Sequence, residues 1–305
     1  MISFEKKYQD YLKIVEDTLD HLSSSEYLDD SFKVTESIRY SLLAGGKRIR
    51  PILSFAVAES LHAPIKKELY QLAACLEMIH NYSLIHDDLP AMDNDDFRRG
   101  KPANHVLYGE GMAVLAGDGL LNLAFENLLE ICSKNTKLIK AAKRIAKESG
   151  VHGMVGGQSM DLTDVHSAEA LDYLVQLQNL KTGALIRAAV LSGYYYAEAY
   201  SNDCYFNSEL EKLYEKYANK LGLAFQIRDD LLDVLSTEES LGKTIGKDER
   251  DKKLTFVTLL GIEKSKEYEK KLIKEIYNIL DQLKRKKLNT EFLNDLTSFL
   301  VHRDY

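Results

Sequence analysis

Proline is scarce in this chain: four occur in 305 residues, and none lies in 103–305. Such a sequence can run in long uninterrupted helices. Cysteine is scarcer still, with Cys75, Cys132 and Cys204 widely spaced and in no CxxC pair. An odd, scattered set excludes a disulfide framework and a thiolate zinc site, and it leads us to expect reduced thiols in a cytoplasmic protein. There is no excess of positive charge, since 40 Lys and Arg face 47 Asp and Glu for a net −7. Nucleic acid is therefore not expected as a partner. No run of about 18 apolar residues is evident, so no membrane span is expected. The stretch Met1 to Lys7 lacks the apolar segment of a signal peptide. What remains is a chain with 45% apolar residues, enough for one large core.

What is present in quantity is carboxylate, placed where it is costly. Within 87–96 stand Asp87, Asp88, Asp93, Asp95 and Asp96, directly behind the apolar helical run 76–89, with Arg98 and Arg99 following. Burial penalises charged carboxylates unless something pairs with them. An oxygen-only cluster without Cys or alternating His suits a hard divalent ion, with Mg²⁺ the first choice and phosphate its usual companion. An acidic loop capping a helix is the plainer alternative. A second cluster, Asp229-Asp230-Leu231-Leu232-Asp233, weakens that alternative. Asp229 and Asp233 are i and i+4 and share one face of a helix. Asp87 and Asp93 are six apart, about 240° around an ideal helix. Pro90 between them should end or bend that helix and let Asp93 return towards Asp87.

Taken in order, 3–22 reads as an amphipathic helix and 29–43 as a second, closed by Gly45-Gly46. Lys47-Arg48-Ile49-Arg50-Pro51 then sets three cations beside two glycines, a pattern suited to a diphosphate or simply to a helix C-terminus. Residues 66–89 form a long helix in which His80 precedes Asp87 by about two turns and shares its face. A loop is expected over 100–111, helices over 112–132 and 136–151, and an interruption at 153–158, where small residues let helices approach. A helix from Ala168 runs through Lys181-Thr182-Gly183, a weak point where a carbonyl or hydroxyl can face a ligand, or merely a packing notch. Tyr194 to Asn207 reads as a polar connection, 208–235 as a long helix, 241–248 as a basic loop, and 254–263, 265–286 and 290–302 as closing helices. No strand alternation stands out. The expected fold is all-α, one domain over 1–305 with about ten or more helices around a central cavity.

Seven stretches, in order, resemble the trans-prenyltransferases, and most closely bacterial-type farnesyl diphosphate synthases. They are Gly-Gly-Lys-Arg-Ile-Arg-Pro at 45–51, the run 80–93, Arg-Arg-Gly-Lys-Pro at 98–102, Gly-Gly-Gln at 156–158, Lys-Thr-Gly at 181–183, Phe-Gln-Ile-Arg-Asp-Asp-Leu-Leu-Asp at 225–233, and Leu-Gly-Lys-Thr-Ile-Gly-Lys-Asp at 241–248. The resemblance implies an isoprenoid-synthase fold and a homodimer. It implies Mg²⁺ ions held by Asp87, Asp93 and Asp229, with Asp88, Asp230 and Asp233 in support. Arg98, Lys181, Lys243 and Lys253 would neutralise an allylic diphosphate, dimethylallyl or geranyl. The Lys181 carbonyl, the Thr182 hydroxyl and the Gln226 amide would shield the allylic cation. Isopentenyl diphosphate would lie on Lys47, Arg50, His80 and Arg99, with Phe225 against its hydrocarbon. Tyr82 and Ser83, about 6–7.5 Å along the helix from Asp87, would floor the tail pocket, and the resemblance then implies a C15 product, farnesyl diphosphate. Ala103 stands where related sequences often carry Thr, which bears on fine positioning near the acidic loop.

Competing readings are a longer-chain synthase of the same kind, a non-catalytic partner subunit, and a di-iron bundle built on the ExxH pairs Glu59/His62 and Glu77/His80. The last leaves both Asp clusters and the lysines unexplained. Other enzymes that share the metal chemistry have no reason to keep Lys47 and Arg50.

Overall fold

The computed structural model describes residues 3–163, 170–201, 206–235 and 254–302. It is helical nearly throughout. Helix α1 (Phe4–Leu22) starts on Ser3, whose side chain accepts from the Lys6 amide, and buries the stripe Tyr8, Tyr11, Val15, Leu19 and Leu22. There follow α2 (Lys33–Leu42), α3 (Ile49–Ser60) and α4 (Lys67–Asp87). After a short hairpin come α5 (Asn104–Tyr108), α6 (Glu110–Lys134), α7 (Ile139–Ser149), α8 (Met154–Asp161), α9 (Ala170–Lys181), α10 (Gly183–Tyr200) and α11 (Ser208–Leu235). The closing helices are α12 (Phe256–Leu260), α13 (Ile262–Arg285) and α14 (Glu291–Val301).

The centre is made by α3, α4, α6, α10 and α11, which pack on one another. In α4 every residue from Leu72 to Ile79 is buried. A helix apolar all round belongs inside a bundle. Helix α6 packs on α4 with Ala113, Ala116, Leu120, Leu123, Ala124, Leu128 and Ile131. Helix α6 is long and apolar enough to cross a membrane by length and composition, a test that the core helix of a bundle also passes. Its inward face is instead the wall of the core, and Asp118 and Glu126 sit on its outer face.

Four local expectations are corrected. Residues 97–102 form a hairpin pairing Phe97 with Pro102 and Arg98 with Lys101. Arg99 (φ 53°) and Gly100 (φ 72°) make its left-handed two-residue turn, a signal too short for any alternation to show. The 100–111 loop contains α5. Gly156-Gly157 does not interrupt a helix but lies within α8, where the missing Cβ atoms permit close contact. Tyr194 to Tyr200 is not a connection: α10 continues through it, with Tyr194 and Tyr196 buried and their hydroxyls donating to the Asn207 and Pro64 carbonyls. A tyrosine whose hydroxyl finds a partner buries as readily as a phenylalanine.

Candidate active site

Helix α4 ends at Asp87, ahead of Pro90, and the chain folds back as expected. The Asp93 amide donates to the Asp87 carbonyl at 2.8 Å and the Asp95 amide to that of Asp88 at 3.1 Å. Burial, with Asp93 and Asp88 adding to it against the opposing pull of Lys181, pushes the Asp87 carboxyl up to about 6. Two cavities meet beside this turn. The larger, about 610 Å³, is lined by Tyr82, Ser83, His86, Asp87, Lys181 and Thr182 together with Met92, Met154, Val155, Gln158, Leu162 and Leu185. That volume is in the range of small-molecule sites, about 300–1,000 Å³. The second, about 450 Å³, holds Lys47, Arg50, Glu77, His80, Arg99, Phe225, Gln226 and Asp229. Arg50, His80 and Thr182 line both.

The second cavity is cationic over a buried carboxylate. Arg48 (φ 44°) is held in the left-handed region by hydrogen bonds to Glu16, Glu77 and the Leu42 carbonyl. Its guanidinium is fully buried, and Nη1 reaches Glu77 Oε1 at 2.8 Å. Arg99 lies 3.7 Å from the same carboxylate and donates to the Gly45 carbonyl. Arg50 is half-buried, and its Nε, which is out of reach of solvent, finds no hydrogen-bond partner among the described residues. A desolvated, unsatisfied guanidinium facing a cavity is a ready anion site. Burial and the nearby arginines, Arg50 foremost, hold His80 well below the usual imidazole range, so it is neutral near pH 7 and able to donate.

The junction between the cavities is built by one broken helix. Helix α9 ends at Lys181, α10 begins at Gly183, and Thr182 lies at the break. The Thr182 hydroxyl donates to Gln226 Oε1 at 3.1 Å, and Gln226 Nε2 donates to Asp230 Oδ1 at 2.9 Å. The other Asp230 oxygen accepts the Phe256 amide at 2.8 Å. Two close approaches hold this chain in place. A Cβ on Gly157 would lie 2.1 Å from the Lys181 amide nitrogen, and one on Gly222 would lie 3.0 Å from Gly183 Cα.

Residues 32–295 match the polyprenyl synthetase family. The chain belongs to that family. It is accordingly a trans-prenyltransferase. Over 267 residues it is 46% identical to a geranylgeranyl diphosphate synthase of Cyanophora paradoxa, covering 86% of this chain and 85% of that one. Over 301 residues it is 40% identical to a farnesyl diphosphate synthase of Micrococcus luteus, covering 97% of each. The solved geranyltransferase of Helicobacter pylori, complexed with magnesium and isoprenyl diphosphate, superposes with a TM-score of 0.83 at 33% identity over 98% of both chains.

Within this polyprenyl synthetase the second aspartate of each pair is engaged by groups of the protein itself. Asp88 is buried and holds Arg98, whose Nε lies at 3.0 Å from Oδ1. Asp230, also buried, orients Gln226 and caps α12. Each is turned inward by the helical repeat, since consecutive side chains point about 100° apart. Arg98 is thereby matched by a carboxylate already. The hairpin explains how adjacent arginines part company: Arg98 sits at the acidic turn and Arg99 in the cationic cavity. Asp233 is buried one turn beyond Asp229. Lys181 donates to Asp161 at 2.6 Å. Lys243 and Lys253 lie outside the described residues, as do the 241–248 loop and the last three residues.

Glu77 and Asp161 were missed from the sequence. Glu77 is one helical turn before His80, so its face was legible, but only the fold brings Arg48 and Arg99 to it. The ExxH pairs also come apart. Glu59 engages Lys7 and Tyr11, His62 lies at a helix end with φ 58°, and Glu77 belongs to arginines.

The fit to Mg²⁺ can be judged on donor chemistry. Among the described residues no three of His, Cys, Asp or Glu converge into a closed metal site. What is offered is carboxylate oxygen in small number: Asp87 lines one cavity, with Asp93 folded back to its backbone, and Asp229 lines the next. Mg²⁺ is commonly held in that way, by one or two carboxylates plus phosphate oxygens and water.

Proposed function

We propose that the protein condenses isopentenyl diphosphate with dimethylallyl and then geranyl diphosphate, giving farnesyl diphosphate and diphosphate. The carrying observation is the pair of cavities: a cationic one in which the buried Nε of Arg50 has no partner among the described residues, and an apolar one beside a carboxylate rim, joined at Arg50, His80 and Thr182.

In this reading Lys47, Arg50 and Arg99 bind the diphosphate of isopentenyl diphosphate, neutral His80 donates to it, and Phe225 packs on its hydrocarbon. Asp87, Asp93 and Asp229 would hold Mg²⁺ for the allylic diphosphate. The ions supply the positive charge that stabilises the diphosphate as its bond to carbon ionises. Lys181 leaves Asp161 for the allylic diphosphate. The Lys181 carbonyl, Thr182 Oγ1 and Gln226 Oε1 present oxygen lone pairs to the carbon left electron-poor, and Asp230 keeps Gln226 turned the right way. The double bond of isopentenyl diphosphate supplies the electrons of the new C–C bond, and loss of a proton restores a neutral chain. The departing diphosphate takes that proton.

A C15 product is supported by Tyr82, which is 7% exposed and lines the larger cavity beside Ser83. A C20 product is the second reading, favoured by the name of the Cyanophora relative. Incubation with Mg²⁺, isopentenyl diphosphate and dimethylallyl diphosphate, with products resolved by carbon number, tests both. Dominant C15 is the expected result. C20 keeps the chemistry and removes Tyr82 as the floor, while no condensation by folded protein points to a partner-subunit role.

The reading includes a homodimer. Val106, Leu107, Val114 and Leu115, each between 41% and 55% exposed, lie on α5 and the first turns of α6. Grouped apolar exposure of this kind is characteristic of interfaces.

A further inference from the structure

Beside the cavity floor, α4 and α6 make a contact that no aliphatic pair would make. His86 lines the cavity one turn beyond Tyr82 on α4. Its Nε2–H donates to the Val114 carbonyl on α6 at 3.0 Å, which fixes the proton on that nitrogen because a carbonyl can only accept. Its ring stands edge-on to Tyr82, with centroids 5.8 Å apart and planes at 84°. The imidazole reaches Val114 by lying where a side chain of residue 117 would be. A Cβ on Gly117 would sit 2.1 Å from His86 Nε2 and 2.4 Å from Cδ2. Neither backbone can yield readily. Gly117 is in the middle of a core helix, and His86 directly precedes Asp87.

We propose that Gly117 is a specificity-determining position for product length, acting through His86. The glycine is the notch that admits the imidazole, and the imidazole in turn braces the Tyr82 ring across the cavity. Rotation of a free tyrosine about χ1 would open the space behind it, and an edge-to-face neighbour restrains that rotation. The floor is then a three-part device, Tyr82 on His86 on Gly117, of which Tyr82 and His86 line the cavity and Gly117 lies behind them. This inference rests on the prenyl-condensing reading and on Tyr82 as floor.

It is tested by product ratios at matched turnover, a readout that general loss of activity leaves unmoved. Tyr82→Ala should lengthen the product, which checks the floor itself. His86→Ala, which keeps Tyr82 but removes its brace, should raise the ratio of C20 to C15 on the order of tenfold, the low end of what one apolar pocket contact discriminates. Gly117→Ala should also shift the distribution, because it expels the imidazole. In a His86→Ala background the same Gly117→Ala change should do nothing more. Should Gly117→Ala fail to fold, His86→Ala and His86→Phe carry the test, the second restoring a ring that cannot bond Val114. Lengthening by Tyr82→Ala with wild-type ratios from His86→Ala would overturn the brace and leave the floor standing. A Gly117→Ala shift that persists without His86 would overturn the coupling. Unchanged ratios from Tyr82→Ala would remove the floor, and the brace with it.

Discussion

Asp87 illustrates the conflict a single carboxylate carries at this site. Its folded pKa of about 6 lies above its ordinary 3.8, chiefly through burial. A carboxyl that binds its proton more tightly when folded stabilises the fold below its unfolded pKa and loses that contribution as pH rises through the folded one. The metal-free protein should therefore lose stability between about pH 4 and pH 6. Asp87→Asn should melt higher than wild type at pH 8 without Mg²⁺, with the advantage gone at pH 4, as thermal melts at the two pH values would show. The same variant should lose Mg²⁺-dependent turnover. Glu77 poses the opposite case. Its side chain is 2% exposed beneath Arg48 and near Arg99. Glu77→Gln leaves the buried Arg48 guanidinium with Glu16 as its remaining carboxylate, so the loss should fall short of the about 3–5 kcal/mol typical of a buried charge left wholly unpaired. Denaturant titration should record that loss, and the KM for isopentenyl diphosphate should rise more than kcat falls, because the affected cations line the second cavity.

At the scale of elements, the proposed site is built on breaks in otherwise regular helices. The break between α9 and α10 exposes Thr182 and the end of α9, and α8 presses on that end through Gly157. Gly157→Ala would drive a methyl into the Lys181 backbone. Overpacking of this kind costs about 1–3 kcal/mol, and a displacement near 1 Å can cost on the order of a hundredfold in rate. Circular dichroism melts and steady-state kinetics should show a modest fall in Tm beside a large fall in kcat. The 97–102 hairpin does comparable work in two strands of two residues. Its left-handed turn sends Arg98 to the acidic turn and Arg99 to the cationic cavity, so one dipeptide serves two sites.

For the whole molecule, α6 divides its surface between two tasks. One face is the wall against α4, and the other, with α5, presents Val106, Leu107, Val114 and Leu115 outward. Wild type should run as a dimer in size-exclusion chromatography with light scattering, and Leu115→Glu should shift it to monomer by burying a carboxylate in an apolar contact. A monomeric wild type at micromolar concentration would refute the interface. Because Val114 also accepts from His86, the outer face and the cavity floor share a segment of α6.

The sequence by itself determined the class of fold and most of the chemistry. Absence of proline, apolar periodicity and glycine punctuation are local properties, so long helices such as 208–235 and the end of α4 before Pro90 were readable to within a residue or two. The two Asp clusters and the basic 47–50 segment were readable for the same reason, as charge set beside apolar runs. Tertiary structure alone decided which of those charges face a cavity. Asp88 and Asp230 have the same composition as Asp87 and Asp229 but lie about a quarter-turn round the helix, and what they meet there comes from residues distant in the chain. Glu77, Asp161 and the Gly117 notch were invisible for that reason, because a counter-ion and a hollow are defined by their neighbours. The tyrosines of 194–196 looked polar until partners elsewhere in the fold were found for their hydroxyls. Pattern along the chain fixes elements, while the environment of each side chain exists only once the elements have packed.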